Sequence, residues 1–219
     1  MPNYCLNKIE INGDLSQLEE LLAFVKSEDS AFDFNKICPL PPSIKNTERG
    51  SVAFASEAVC LYLAEKTVSN HLKWMMDKAE ISAADLERVI KDWESQGKVD
   101  LALGYRIIEN RKLYDGDGDW YEYCLRHWGT KWEACDPQVT DNVITFETAW
   151  SPAIPVLAKL ANLFPELSIS HKYFEPGVSL AGENFYNNGV CVASYIYDYC
   201  DSEYIKLGNE FGFEFSFND

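Results

Sequence analysis

The sequence predicts an α+β protein built around a split βαβ sheet, and three observations lead to this fold class. Segments in which apolar and polar residues alternate occur early and late in the chain. Each pair of alternating segments encloses a stretch with apolar residues at helical spacing, which gives the order strand, helix, strand twice. A mainly helical stretch separates the two units, so we expect one sheet whose chain is interrupted by an insertion.

The first strand-helix-strand unit is predicted within residues 1–42. Residues 4–12 alternate and end at an Asn-Gly turn signal. A leucine-rich segment at helical spacing follows, with Asp14 placed to cap its first turn. Alternation returns over 31–42, "AFDFNKICPLPP", and stops at prolines, which cannot extend a strand ladder. We therefore predict the second strand in this segment.

Residues 43–137 are predicted to form a mainly helical insertion, and the second unit follows in residues 138–177. That unit has an alternating segment, "NVITFETAW", a helical segment with apolar residues on one face, and a further strand, "ELSISHKYFEPG". The two units together define a ferredoxin-like topology, a term that implies no iron–sulfur cluster.

A β-rich extension is predicted over residues 178–219. It contains a hairpin around the Asn-Asn-Gly turn at 187–189 and a last strand over 211–217. The last strand places four phenylalanines on one face. Because an exposed aromatic strand promotes association, we expect it to be buried or to form a homodimer.

The charge balance is strongly acidic, with 19 lysines and arginines against 35 aspartates and glutamates, or a formal net charge of −16. Such a field repels phosphate backbones, so direct binding to nucleic acid is not expected. It favours a partner protein with a basic surface. No apolar stretch reaches the length of a membrane span, no signal peptide is visible, and the seven cysteines lack C-x-x-C spacing, which indicates free thiols in a cytoplasmic protein.

Tryptophans frame the motif "WGTKW", and Trp150 follows in "TAWSP". Gly129 is suited to the left-handed conformation that ends many helices. The indoles of Trp128, Trp132 and Trp150 either pack in the core or form a stacking platform. We favour packing, because aromatic side chains dominate core energetics.

Two motifs resemble parts of a metal-binding or catalytic site but lack residues that a complete site would need. Aspartates alternate in "DGDGDW" (115–120) as at the start of a calcium loop, but the sixth and twelfth positions of that loop are Trp120 and Arg126 instead of glycine and glutamate. Cys124 and His127 share a predicted helix face, as a nucleophile and base would, or as part of a zinc site with Cys135. We expect no metal and no cofactor, and the dyad stays an alternative.

Five sequence blocks resemble those of the YubB-type ferredoxin-like family, which is encoded on plasmids, phages and other mobile elements. They are "MPNYCLNKIEING", "FDFNKICPLPP", "DWYEYCLRHWGTKWEA", "FETAWSPAIPVLAKLANLFPEL" and "YFEPGVSLAG", in family order. The resemblance implies the fold and a mobile-element setting in a bacterial host. It implies no catalytic residue.

The C-terminal extension interleaves acidic and aromatic residues, which can imitate a nucleic-acid backbone with its bases or grip arginines. The predicted partner-binding residues are Glu183, Asp198, Tyr199, Asp201, Glu203 and Tyr204. The leading hypothesis is a non-enzymatic, phage- or plasmid-encoded inhibitor of a host defence system, of the anti-CRISPR or anti-restriction type. It would occupy a basic nucleic-acid-binding site. An enzyme using the Cys124 and His127 dyad and a single-stranded nucleic-acid binder remain the alternatives.

Overall fold

One antiparallel sheet of six strands organises the computed structural model of the chain, which describes residues 3–47 and 49–215. In chain order the strands are β1 (Tyr4–Asn12), β2 (Cys135–Thr140), β3 (Val143–Ala149), β4 (Ser168–Glu175), β5 (Leu180–Asn187) and β6 (Val190–Tyr197). Their spatial order is β2-β3-β1-β4-β5-β6. The first four have the order of two interlocked split βαβ units, so the predicted α+β, ferredoxin-like fold class is confirmed.

The helices that belong to this sheet are α1 (Leu15–Val25), α2 (Phe34–Ile37), α9 (Ile154–Leu163) and α10 (Ser202–Glu210). Alternate β1 side chains, including Asn7, Ile9 and Ile11, are buried on the helix side of the sheet, where the backbone amide of Ala153 before α9 reaches Asn7. The opposite side, which carries Lys8, is called the open face. Helix α10 lies across it and contacts β4 and β5.

The strand predicted over 31–42 is wrong, because this segment contains the single turn of α2. Asp33 caps that turn by accepting the backbone N–H of Asn35 at 2.8 Å. Phe32 and Phe34 are both buried, with ring centroids 5.0 and 5.9 Å from that of Phe146. Two buried aromatic side chains two residues apart imitate the period of a strand.

The second strand of the first unit is β2, within the segment predicted to be insertion. Pro137 interrupts its pattern, and the pairing with β3 shifts register between Cys135 and Gln138. Proline is tolerated here because β2 is an edge strand. The insertion therefore falls inside the first crossover, before β2, and not between two complete units.

Residues 40–123 form a separate compact unit. Its helices are α3 (Pro42–Lys45), α4 (Ser51–Glu65), α5 (Asn70–Lys78), α6 (Leu86–Ser95), α7 (Leu101–Leu113) and the start of α8 (Trp120–His127). Val59, Leu72, Leu86 and Trp93 are buried in its core. Over 40–123 and throughout the rest of the described chain, no helix is long and apolar enough to cross a membrane.

The chain after β4 forms the hairpin β5–β6, whose turn residues Asn188 and Gly189 both have positive φ. The strand predicted over 211–217 is wrong where the structure describes it. Residues 202–210 form α10, and residues 211–215 follow without strand structure. Phe211, Phe213 and Phe215 nevertheless pack together against Phe174 of β4, while Phe217 lies outside the described residues.

Candidate functional site

A cavity of about 470 Å³ opens beside β2 and is bordered by four carboxylates. The residues that line it are Ser27, Asp29, Ser30, Asp33, Asn35, Glu133, Ala134, Asp136 and Pro137. None of these nine carries a positive charge. All of them belong to the compact unit that contains the sheet, which comprises residues 3–39 and 124–215 of the described chain. We call it the sheet unit. We call these nine residues the acidic cavity.

Two of the four carboxylates hold the local backbone. Asp33 caps α2, as described above, and Glu133 Oε2 accepts the backbone N–H of Phe34 at 3.0 Å. Glu133 Oε1 also accepts the side-chain amide of Asn35. Both acids are half-buried. Their charges thus border the cavity, and the hydrogen bonds of Glu133 fix the segment before the insertion to the segment before β2.

Asp29 and Asp136 differ, because both are exposed. Asp136 lies where the register of β2 shifts, and its φ of +46° is in the left-handed region. Bulges and residues with such strained backbone are frequent where a strand presents a side chain for function. Asp136 also borders an adjoining cavity of about 200 Å³ that includes Glu147 and Phe211.

Carboxylates accept hydrogen bonds and carry negative charge, so the acidic cavity is chemically suited to an ammonium or guanidinium group. An arginine side chain fits such a site because its planar fork donates to two carboxylate oxygens at once. Among the residues the structure describes, no group of three or more histidine, cysteine, aspartate or glutamate side chains is arranged to hold a metal ion.

Four of the C-terminal residues predicted to bind a partner, Asp198, Tyr199, Asp201 and Glu203, are exposed. Asp201 accepts the backbone N–H of Asp198, and Glu203 lies 3.6 Å from Lys206. Glu183 is half-buried, 4.0 Å from Lys172. Tyr199 is 60% exposed.

The prediction for Tyr204 is wrong, since its side chain is only 1% exposed and packs on Phe174 at 5.0 Å between ring centroids. Glu210, at the end of α10, forms ion pairs with Lys8 and Lys172, each at 2.7 Å. Burial raises the pKa of Glu210, but hydrogen bonds from the two lysines outweigh it and lower the pKa overall. The extension is therefore fastened to its own sheet.

The tryptophan motif divides into a buried and an exposed part. Trp128 is 3% exposed and donates its indole N–H to the carbonyl of Cys38 at 2.9 Å. Gly129 has φ +83°, and a Cβ there would lie 2.4 Å from the ring of Pro155. Trp132 and Trp150 are 39% and 45% exposed, with centroids 5.7 Å apart. Packing thus explains Trp128 and Gly129, whereas the other two indoles form a surface pair.

The Cys124 and His127 alternative has an access problem. The side chain of Cys124 is 1% exposed, so a substrate cannot reach its thiol, and His127 is half-buried. Glu147 and His171 do not form a pair either. In the sheet register Glu147 lies opposite Leu6 and His171 opposite Ile9, which places the two on different faces.

His171 instead belongs to a buried polar network on the helix side of the sheet. Its Nε2 lies 3.0 Å from Asn7 Oδ1, and Asn7 Nδ2 donates to Thr148 Oγ1 at 2.9 Å. Because Asn7 Oδ1 can only accept, the proton resides on Nε2. Among the described residues Nδ1 has no hydrogen-bond partner. Burial lowers the pKa of His171 to about 3.

We expect His171→Gln to flatten the pH dependence of stability below pH 6.5. An unfolded histidine takes up a proton near pH 6.5, whereas the folded one stays neutral until about pH 3. Between these values the unfolded state binds the extra proton, so wild-type stability falls by up to roughly 1.4 kcal/mol per pH unit as pH decreases. Urea unfolding from pH 7 to 5 measures the slope.

The control for this slope is His71→Gln, on α5 and outside the network. It should retain the wild-type slope. An unchanged slope in His171→Gln would contradict the assignment of a neutral, buried imidazole, whatever the absolute stability of that variant.

The open face offers few accessible aromatic side chains on its central strands. Modules that bind single strands on such a sheet place aromatic side chains there. Here Lys8 and Glu10 on β1 and Glu147 on β3 face outward, Tyr4 lies at the start of β1, and Phe174 of β4 is buried beneath the C-terminal extension. Helix α10 also covers part of this face.

The acidic cavity is the feature that sequence reasoning missed. Its carboxylates come from residues 29–33 and 133–136, two segments about a hundred positions apart that neither motif nor period connects. The unusual "CDPQ" start of β2, with aspartate and proline inside a strand, is the one local signal for a functional edge.

A match to a family model agrees with the ferredoxin-like fold over part of the chain. A family model described as "Ferredoxin-like domain in Api92-like protein" matches residues 127–215. The chain is also similar to the crystal structure of protein api92 from Yersinia pseudotuberculosis, at 14% identity and a TM-score of 0.45, over 92% of this chain and 100% of that one. No curated protein matches the chain.

Proposed function

We propose that this chain is a non-enzymatic binding protein that occupies a basic, nucleic-acid-binding site on a partner protein. The observation that carries the proposal is the acidic cavity, in which four carboxylates and no cation line about 470 Å³. A net charge of −16 adds a long-range field that attracts basic surfaces and raises association rates.

The mode of binding follows from the two kinds of carboxylate. Asp33 and Glu133 are held in place by their hydrogen bonds to α2 and Asn35, so less conformational entropy is lost in ordering them. Asp29 and Asp136 are exposed and can reach an entering arginine or lysine side chain. Partners that bind phosphates through arginine and lysine present the matching chemistry.

The narrower form of the proposal is that the partner belongs to a bacterial defence system, with anti-CRISPR or anti-restriction activity in the host cytoplasm. Its support is the sequence resemblance to a family of plasmid and phage proteins, together with the acidic charge. Competition with nucleic acid follows from this idea, because decoy and nucleic acid occupy the same site.

Affinity capture tests the proposal. Immobilised chain is incubated with a bacterial lysate, and captured proteins are identified by mass spectrometry. We expect a stoichiometric basic, nucleic-acid-binding protein that is released by raised salt and by added duplex DNA. The matched arm uses Asp29→Asn with Asp136→Asn, which removes two charges from the cavity without touching the carboxylates that hold α2. It should capture markedly less.

The control pair is Asp141→Asn with Glu166→Gln. It removes the same charge at exposed positions outside the cavity, and Asp141 shares the left-handed backbone of Asp136. Equal capture by the two double variants would reject the acidic cavity as the binding site. Capture of a partner that DNA does not displace would reject the decoy mechanism.

A further inference from the structure

Strand β6 forms one edge of the sheet and carries mostly apolar side chains. Its eight residues, "VCVASYIY", include no charged residue and no proline. Four large side chains are widely exposed: Val190 at 58%, Val192 at 60%, Tyr195 at 52% and Ile196 at 72%. Within residues 3–47 and 49–215, no strand lies on the outer side of β6.

The opposite edge of the same sheet shows how an edge strand is normally protected. Strand β2 has six residues that include an aspartate and a proline, and both residue types hinder pairing by another strand. Strand β6 has neither over residues 190–197, although its pairing with β5 shifts register at Val192. An edge that keeps its backbone free and its side chains apolar is suited to accept another strand.

We infer that β6 is the dimerisation surface of this protein, where a second copy of the chain adds its own β6 in antiparallel orientation. With the two-fold axis at Ser194, residues 193–195 of the two copies pair directly, and the bulged Val192 of one copy lies next to Ile196 of the other. The sequence of β6 is thus complementary to itself.

Charge favours a second copy over a basic partner at this surface. A basic segment would find no carboxylate within β6, whereas an identical uncharged strand brings no charge into the contact. The acidic cavity is far from β6 in the strand order, at the β2 edge, so dimerisation leaves it free.

The surface area that two β6 strands can bury predicts a weak dimer. The four side chains are three aliphatic residues and one tyrosine, so they expose on the order of 300 Å² per copy. Two copies and their strand backbones therefore reach only the low end of specific interfaces, which begin near about 1,200 Å². We expect association in the micromolar range. Raised salt should strengthen it, because salt screens the repulsion between two chains of charge −16.

Sedimentation velocity over a concentration series at two salt concentrations tests the inference, with Val192→Lys as the disrupting variant. The lysines place charge on both copies at the apolar contact, so we expect the dissociation constant to rise about tenfold or more. Val178→Lys is the control, because Val178 is 65% exposed but lies outside β6. It should dimerise like the wild type.

Amide hydrogen exchange on the wild-type chain gives a second readout that needs no variant. Amides of β6 should exchange more slowly as protein concentration rises, and amides of β2 should not. A wild-type chain that stays monomeric at every concentration, equal dimerisation of Val192→Lys, or protection elsewhere would overturn the inference. The salt response separates it from the proposed function, since partner binding weakens with salt and this dimer strengthens.

Discussion

Replacing Trp128 by alanine should lower the free energy of unfolding by about 3–5 kcal/mol, the range for large aromatic side chains removed from a core. The indole is 3% exposed, and its centroid lies 5.8 Å from that of Phe34. The substitution leaves a cavity under α2 and also leaves the carbonyl of Cys38 without its donor. Urea unfolding followed by far-UV circular dichroism measures the loss.

The control for this substitution is Trp132→Ala in the same motif. Trp132 is 39% exposed, and its ring centroid lies 5.7 Å from that of the exposed Trp150. It should cost less than about 1 kcal/mol, as surface substitutions usually do. Equal losses in the two variants would contradict the division of the motif into a buried and an exposed tryptophan.

Phe174→Ala should have a comparably large effect, again about 3–5 kcal/mol, and should release the C-terminal extension. Phe174 is fully buried on the open face, and its ring centroid lies 5.0–6.2 Å from four others. These are the rings of Tyr204, Phe211, Phe213 and Phe215. Removing it takes away a sheet residue against which all four pack.

Two measurements check this second substitution. Urea unfolding gives the overall loss, and amide hydrogen exchange of α10 reports whether the extension has detached. Phe185→Ala is the matched control, since Phe185 lies on the same face of the neighbouring strand but is only half-buried. Retained protection of α10 in Phe174→Ala would contradict this attachment of the extension.

The strand-helix-strand order could be predicted because most elements of the sheet unit follow a clean period. Residues 4–12 and 143–149 alternate along their length, and α9 buries one apolar face. The predictions were wrong where tertiary packing, and not the local sequence pattern, determines the secondary structure. Phe32 and Phe34 alternate like a strand because both reach Phe146, and β2 is obscured by the proline that its edge position allows.

The candidate site could not be predicted from the sequence, for a related reason. Asp29 and Asp136 line one cavity, but the whole of the 40–123 unit separates them in the sequence. The acidic extension drew attention instead, because its carboxylates are close in sequence. In the fold, Glu210 and Glu203 are paired with lysines, and Tyr204 is a core residue.

Isothermal titration calorimetry with a hexa-arginine peptide at low salt tests the binding role of the acidic cavity most directly. We predict that the variant with Asp29→Asn and Asp136→Asn binds the peptide about 3- to 30-fold more weakly than wild type, as expected for two partly exposed ion pairs worth up to about 1 kcal/mol each. The variant with Asp141→Asn and Glu166→Gln, equal in net charge, should stay close to wild type. Equal affinities for the two double variants would show that only total charge matters and would contradict a binding site in the cavity.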